Sequence, residues 1–258
     1  MVVNIFIFIL GAVIGSFLNV LIYRLPREES IVYPSSHCPN CKKAIFWYDN
    51  IPIVSFILLR GRCRNCGNPI SPRYLLVEFM TGILFLLIGP IFGFGIWDFG
   101  FYFAAFFICL LIVAFFSDLE TEIIPDEIMI LGIPFGLLFN LLKGNLQAAV
   151  LGCALGYSFL FLISLFGRSV FKKDALGYGD VKLAALMGAW LLYDKVLLGV
   201  FLGYLIGAVV SIILLSAKIK KFGDYIPFGP YLATGAFLAF FWGPQIISYY
   251  LTNFIGRY

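Results

Sequence analysis

Two groups of side chains in this sequence have the chemistry and the spacing to form sites. The first is four cysteines arranged as two knuckles, Cys38-Pro39-Asn40-Cys41 and Cys63-Arg64-Asn65-Cys66. Two residues between thiols let both sulfurs of a knuckle reach one ion, and a second knuckle completes a tetrahedral shell. In a reducing cytoplasm a structural Zn2+ is favoured over disulfides or free thiols, which stand as the alternatives. Four thiolates leave no open position for water, so the expected metal is structural and not catalytic. His37, next to Cys38, could replace a ligand, although a solvated place beside the cluster suits it as well. Cys109 and Cys153 lie in apolar runs and read as small core residues.

The second group is carboxylates beside apolar runs, where charge is expensive. Most have ordinary accounts. Asp98 fits a helix start, Asp126 after Pro125 fits an N-cap with Glu127 in the first turn, and Glu120 and Glu122 fit a polar loop. Glu78 falls inside an apolar run and is expected to point inward. Asp118 is harder to explain, because it ends the run 99–117 at a helix C-terminus, where the helix dipole opposes it. Asp180 follows Gly177-Tyr178-Gly179 and opens another run; by itself it could be a plain N-cap. No strand-and-helix phosphate loop surrounds those glycines. If packing brings Asp118 and Asp180 together, two carboxylates in a low-dielectric site would share one proton. The ionised member can then activate a water while the protonated one hydrogen-bonds a carbonyl.

The elements that must position these residues are membrane helices. Hydrophobic residues make up 62% of the 258, charged residues only 12%, and mean hydropathy is +0.99, which excludes an ordinary soluble domain. The net charge of +4 is spread between apolar runs, so no basic stripe for nucleic acid is present. Apolar runs at 1–23, 74–92, 97–117, 127–142, 146–167, 181–193, 196–217 and 227–252 predict about eight crossings. The fourth and sixth are short, and the hairpin at Asp194-Lys195 is expected to be sunk in the membrane. The first run has no basic lead, while Arg24 and Arg27 follow it, which predicts an outside N-terminus. Lys42, Lys43, Arg60, Arg62, Arg64, Arg73, Arg168, Lys172, Lys173, Lys182, Lys218, Lys220 and Lys221 then all fall inside. Only Lys143, Lys195 and Arg257 fall outside.

The expected fold class is therefore an all-α polytopic membrane protein of about eight transmembrane helices with a small zinc-knuckle cytoplasmic insertion. Its parts are a first helix at 1–23, a cytoplasmic cysteine-bearing region at 24–73, and a helical bundle at 74–258. About fifty residues cannot bury enough apolar surface alone, so the insertion needs a staple such as a metal.

Taken together, these residues resemble the type IV prepilin peptidases, the bifunctional leader peptidase/N-methyltransferases. The likeness rests on Gly15-Ser16-Phe17-Leu18-Asn19-Val20 with Arg24 and Pro26, the paired knuckles, and Asp118 followed by Pro125-Asp126. Gly177-Tyr178-Gly179-Asp180 and Pro227-Phe228-Gly229-Pro230 complete it, in the family's order. The resemblance implies that Asp118 and Asp180 are the catalytic pair of an intramembrane-type aspartic endopeptidase, with Asp126 non-catalytic. It implies cleavage of the basic leader of type IV prepilins and pseudopilins after a glycine, at the cytoplasmic face of the inner membrane. It further implies N-methylation of the new N-terminus with S-adenosylmethionine, for which the residues themselves offer no Rossmann-type fold and no glycine-rich cofactor loop. A peptidase without methyltransferase activity is the narrower alternative. A proton-coupled transporter would put carboxylates near the bilayer midplane, and a membrane-anchored zinc-ribbon docking protein would give Asp118 and Asp180 no task.

Overall fold

The computed structural model describes residues 2–93, 95–171, 176–221 and 224–255. Lys172, Lys173 and Arg257 of the charge argument lie outside them. The described chain is helical: α1 (Val2–Arg24), α2 (Val54–Leu58), α3 (Pro72–Phe92), α4 (Phe99–Thr121), α5 (Asp126–Leu142), α6 (Leu146–Phe171), α7 (Tyr178–Ser216) and α8 (Gly229–Tyr250). Among the described residues, the only strand-like pairing is two isolated bridges, His37 with Ala44 and Arg62 with Pro69. Among the described residues, five helical segments are long and apolar enough to cross a membrane: Val2–Arg27, Pro72–Phe92, Phe99–Thr121, Leu146–Ser169 and Tyr178–Ser216.

The chain divides into two compact units, residues 1–113 and 114–258. In the first, α1 and α3 pack antiparallel through small residues. A Cβ on Gly11 would stand 2.8 Å from the Gly82 Cα, and one on Gly15 2.8 Å from the Glu78 Cα. Asn19 Nδ2 reaches across to the Tyr74 carbonyl at 3.1 Å. Local chemistry sets the ends of α3: the Ser71 side chain accepts the Arg73 N–H, Pro72 takes the first position, and Gly93 at φ +69° stops the helix.

In the second unit α7 is the centre. Its 39 residues would make a rod of about 58 Å, twice the thickness of a bilayer core. Leu192 interrupts it at φ 66° and ψ 174°, and the two arms fold back on each other. A Cβ on Gly199 in the second arm would lie 3.1 Å from Met187 Cε and 3.1 Å from Leu191 Cδ1 in the first. The expected pair of helices is thus a hairpin, with its turn at Leu192; Asp194 and Lys195 already belong to the second arm. The first arm is enclosed, with Val181 and every residue from Leu183 to Leu191 buried. Glycines let α6 approach it backbone to backbone at Gly152 with Gly188 and at Gly156 with Ala184. From α5 come two polar ties: Trp190 Nε1 donates to the Gly132 carbonyl at 2.9 Å, and Asn140 Nδ2 to the Ala189 carbonyl at 2.9 Å. Against the second arm, α8 packs through Gly235 facing Gly199 and Gly203.

Candidate active site and candidate metal centre

Asp118 lies in the last turn of α4 and is 4% exposed. Its Oδ2 accepts the Gly229 N–H at 2.8 Å. Gly229 opens α8, so this donor is one of the amides that a helix N-terminus leaves unsatisfied, and the partial positive charge there suits a carboxylate. The approach leaves no room for a side chain, since a Cβ on Gly229 would stand 2.7 Å from Asp118 Oδ2. Gly229 is the site residue that sequence reasoning missed; its only signal was membership of the Pro227–Pro230 element.

Asp180 lies in the first turn of α7 and is also 4% exposed. It is not the N-cap: Gly177 holds that position. The Asp180 carboxylate accepts the Gly177 backbone N–H, while its buried Oδ1 has no hydrogen-bond partner among the described residues.

Several contacts bring the segments carrying the two aspartates together. A Cβ on Gly179 would rest 3.4 Å from the Ile124 Cβ, in the turn that follows α4. Lys182 Nζ donates to both carboxylate oxygens of Asp126, at 2.6 and 2.8 Å. The charge of Asp118 reaches the Asp180 carboxyl. Burial holds the Tyr225 phenol above its ordinary value, and the charges of Asp118, Asp180 and Glu122 add to the effect. Tyr225 therefore borders the same place.

Asp126 corrects a detail of the sequence reading. It is the first residue of α5 and not its cap, which is Pro125 with no side-chain hydrogen bond. The reason is that its carboxylate is taken by Lys182. Glu120, Glu122 and Glu127 are exposed; Glu122 lies in the expected polar loop and Glu127 in the first turn of α5, but Glu120 belongs to the last turn of α4, which runs on to Thr121. In the other unit, Glu78 is buried as expected. Its Oε2 accepts the Ile53 N–H at 2.7 Å, and Ser16 donates to the same side chain. Asp98 precedes α4 and accepts the Gly95 N–H at 2.6 Å.

The four knuckle cysteines converge, with all their Sγ atoms within 4.8 Å of one another, and together could hold a metal ion. The knuckles repeat the same local structure. Cys38 N–H donates to Lys43 O and Lys42 N–H to Cys38 O; Cys63 N–H donates to Asn68 O and Gly67 N–H to Cys63 O. The residue after each second cysteine is left-handed, Lys42 at φ 59° and Gly67 at φ 70°. Backbone N–H groups of Cys66 and Asn65 aimed at the Cys63 sulfur hold its thiol down at about 7, favouring the thiolate that metals bind. Arg64 and Asp49 form a two-pronged pair at 2.6 and 2.7 Å beside the second knuckle, and the Arg64 hydrogen bond holds the Asp49 carboxyl below the usual range. His37 is not among the convergent ligands; its Nδ1 lies 3.0 Å from the Ser35 carbonyl.

Residues 9–92 match the bacterial peptidase A24 N-terminal domain, and residues 105–212 match the type IV leader peptidase family. The chain is 37% identical to a prepilin leader peptidase/N-methyltransferase of Aeromonas hydrophila, over 96% of this chain and 94% of that protein. It is 42% identical to one of Myxococcus xanthus, over 83% of this chain and 63% of that protein. It is 37% identical to one of Neisseria gonorrhoeae, over 90% and 88%. No solved structure matches the chain. Two family domains in order and this level of identity over nearly the whole length establish that the chain belongs to the type IV leader peptidase family.

Proposed function

We propose that this protein is a membrane aspartic endopeptidase that removes the leader of type IV prepilins and pseudopilins, with Asp118 and Asp180 as its catalytic pair. One observation supports the reading: two buried carboxylates come from separate helices whose adjoining segments touch, and one of them keeps a buried oxygen without a partner among the described residues. Asp118, steadied by the Gly229 N–H, is assigned as the ionised member that takes a proton from the attacking water. Asp180, whose Oδ1 has no donor, is assigned as the member that carries the shared proton and gives it to the scissile carbonyl oxygen. The tetrahedral diol then collapses as the leaving amine takes a proton from Asp118 and a diol hydroxyl returns one to Asp180, which restores the pair. Exposed Glu120, Glu122 and Glu127 lie on the segment that carries Asp118 and on the helix after it, where they would attract a basic leader. Reversing all three charges without slowing cleavage would rule that out.

The relatives' names include an N-methyltransferase, and we carry that second activity over, with S-adenosylmethionine as methyl donor to the new N-terminal amine. The metal is proposed to be a structural Zn2+ held by Cys38, Cys41, Cys63 and Cys66. Zn–S bonds of about 2.3 Å in a tetrahedron separate sulfurs by about 3.8 Å, and Cys38 Sγ lies 3.9 Å from Cys66 Sγ. With four thiolates bound, its contribution is to order the insertion. We place the enzyme in the inner membrane, N-terminus outside, with the aspartates and the cysteine loop cytoplasmic. On this reading the chain divides into a first helix (1–23), a cytoplasmic zinc region (24–73) and a peptidase bundle (74–258).

The test is cleavage of a model prepilin by the purified protein, with and without S-adenosylmethionine, followed by mass analysis of the products. Asp118→Asn and Asp180→Asn, made separately, are each expected to abolish cleavage while the protein stays folded. Normal processing by either variant defeats the assignment.

A further inference from the structure

Between the two knuckles lies the run Ile51-Pro52-Ile53-Val54-Ser55-Phe56-Ile57-Leu58-Leu59, in which only Ser55 is polar. Its side chains do not form a core. Leu58 is 76% exposed, Ile57 63%, Val54 48% and Ile51 41%. Such a patch facing water is unfavourable, so it marks a surface with an apolar partner.

Two anchors give its depth. The Ile53 N–H is bonded to Glu78 Oε2 at 2.7 Å, and Ser16 donates to the same carboxylate. Glu78 lies six residues into α3 and Ser16 eight residues before the end of α1. At 1.5 Å per residue these positions are about 9 and 12 Å inside the helix ends, which Arg73 and Arg24 mark with the first cations. Asn50 and Pro52 also share a cavity of about 400 Å³ with Val13, Ser16, Phe17 and Val20 of α1. The run therefore descends beside two membrane helices, below the level of their terminal arginines.

Its backbone is prepared for that environment. Ile51 O accepts Ser55 N–H at 3.0 Å, Ile53 O accepts Ile57 N–H at 3.2 Å, and Ser55 O accepts Leu59 N–H at 2.9 Å. Phe56 O accepts Gly61 N–H at 2.8 Å. Internal satisfaction of this kind is what hydrocarbon demands of a chain that enters it. Nine residues are too few to cross, since a crossing helix needs about 20, so the chain must return to the side it came from. Around the run, Phe46 and Trp47 are exposed, as are Lys42, Lys43, Arg60 and Arg62. This mixture of rings and cations suits a headgroup layer.

We infer that residues 51–59 form a re-entrant wedge whose exposed side chains lie among the acyl chains of the membrane leaflet, with the surrounding aromatic and basic residues at headgroup level. A lipid occupant is favoured over a water-borne protein, because the depth set by Glu78 and Ser16 is beyond the reach of a soluble partner. The inference rests on membrane insertion of α1 and α3 and is independent of any peptidase activity.

The test replaces Leu58, and separately Ile57, with photoreactive p-benzoylphenylalanine in the full chain. The protein is reconstituted in phosphatidylcholine/phosphatidylglycerol vesicles. Phe79, exposed on α3, serves as the lipid-facing standard and Asn65, exposed at a knuckle tip, as the aqueous one. After irradiation, lipid adducts at positions 57 and 58 are expected to match those at 79 and to exceed those at 65 severalfold. Adduct levels at both positions no higher than at 65 overturn the wedge. So does crosslinking of both to a second copy of the chain, or to added prepilin, in place of lipid.

Discussion

Replacing Gly229 by alanine perturbs the proposed catalytic pair with one methyl group. The added Cβ would stand 2.7 Å from Asp118 Oδ2, 2.9 Å from its Cγ and 3.0 Å from its Cβ. These distances are too short to keep, so the carboxylate must move off the Gly229 N–H, which it now meets at 2.8 Å. A hydrogen bond to a charged group contributes about 1.5–3 kcal/mol. If that stabilisation is spent on orienting the base, and about 1.4 kcal/mol is tenfold in rate, kcat should fall roughly ten- to a hundredfold. KM should stay close to the wild-type value, because Gly229 acts on Asp118 and not on the leader. The assay is steady-state and single-turnover cleavage of a model prepilin by purified protein, with thermal unfolding followed in parallel. Gly235→Ala is the control for packing damage, since its Cβ would run into the Gly199 carbonyl, away from the aspartates. It should lower Tm more than Gly229→Ala does. A Gly229→Ala enzyme within twofold of wild type, or one whose lost activity tracks a lost Tm, would refute the reasoning.

Further outcomes follow from other contacts. Purified protein should carry one zinc per chain, and Cys38→Ser or Cys63→Ser should lose it and expose residues 24–73 to protease; full zinc retention by both variants would count against the cluster. Gly188→Ala puts a Cβ against the Gly152 carbonyl and should cost about 1–3 kcal/mol or more by overpacking, read as a lower unfolding midpoint in detergent. The Lys182–Asp126 pair is largely open to water, at 29% and 62% side-chain exposure, so a double-mutant cycle should return a coupling of only ~0.2–1 kcal/mol. A coupling well beyond that range would mean that the pair has a larger part in holding Asp180.

Much of this architecture was legible because membrane physics writes in long runs. Apolar segments announce helices by composition alone, and paired knuckles announce convergence because two-residue spacing permits little else. Asp118 could be singled out because it carried a charge that local structure did not account for, whereas Asp180 could have been a plain N-cap and was singled out through the family resemblance. What stayed hidden depends on approach between distant segments. Glycine at 229 looks like any loop glycine until Asp118 is seen against it. Glu78 was expected to face inward, but its partner, the backbone of Ile53, carries no side-chain signature. Asp126 looked like a cap because Pro125-Asp126 opens a helix, and only the reach of Lys182 from α7 shows where its charge is spent. The turn of α7 sits at Leu192, an unremarkable residue for a turn, in place of the charged pair just after it.

That folded-back α7 bears on how the protein is made. Its first arm is walled in by neighbouring helices from Leu183 to Leu191, so its greasy composition serves contact with protein and not with lipid. At thirteen or fourteen residues such a segment is too short to partition from the translocon as a span of its own. The two arms are expected to enter the bilayer together as one hairpin. Asp180 would then reach its final depth only when the second arm has been synthesised, and the proposed catalytic pair could not form on a nascent chain that stops before it.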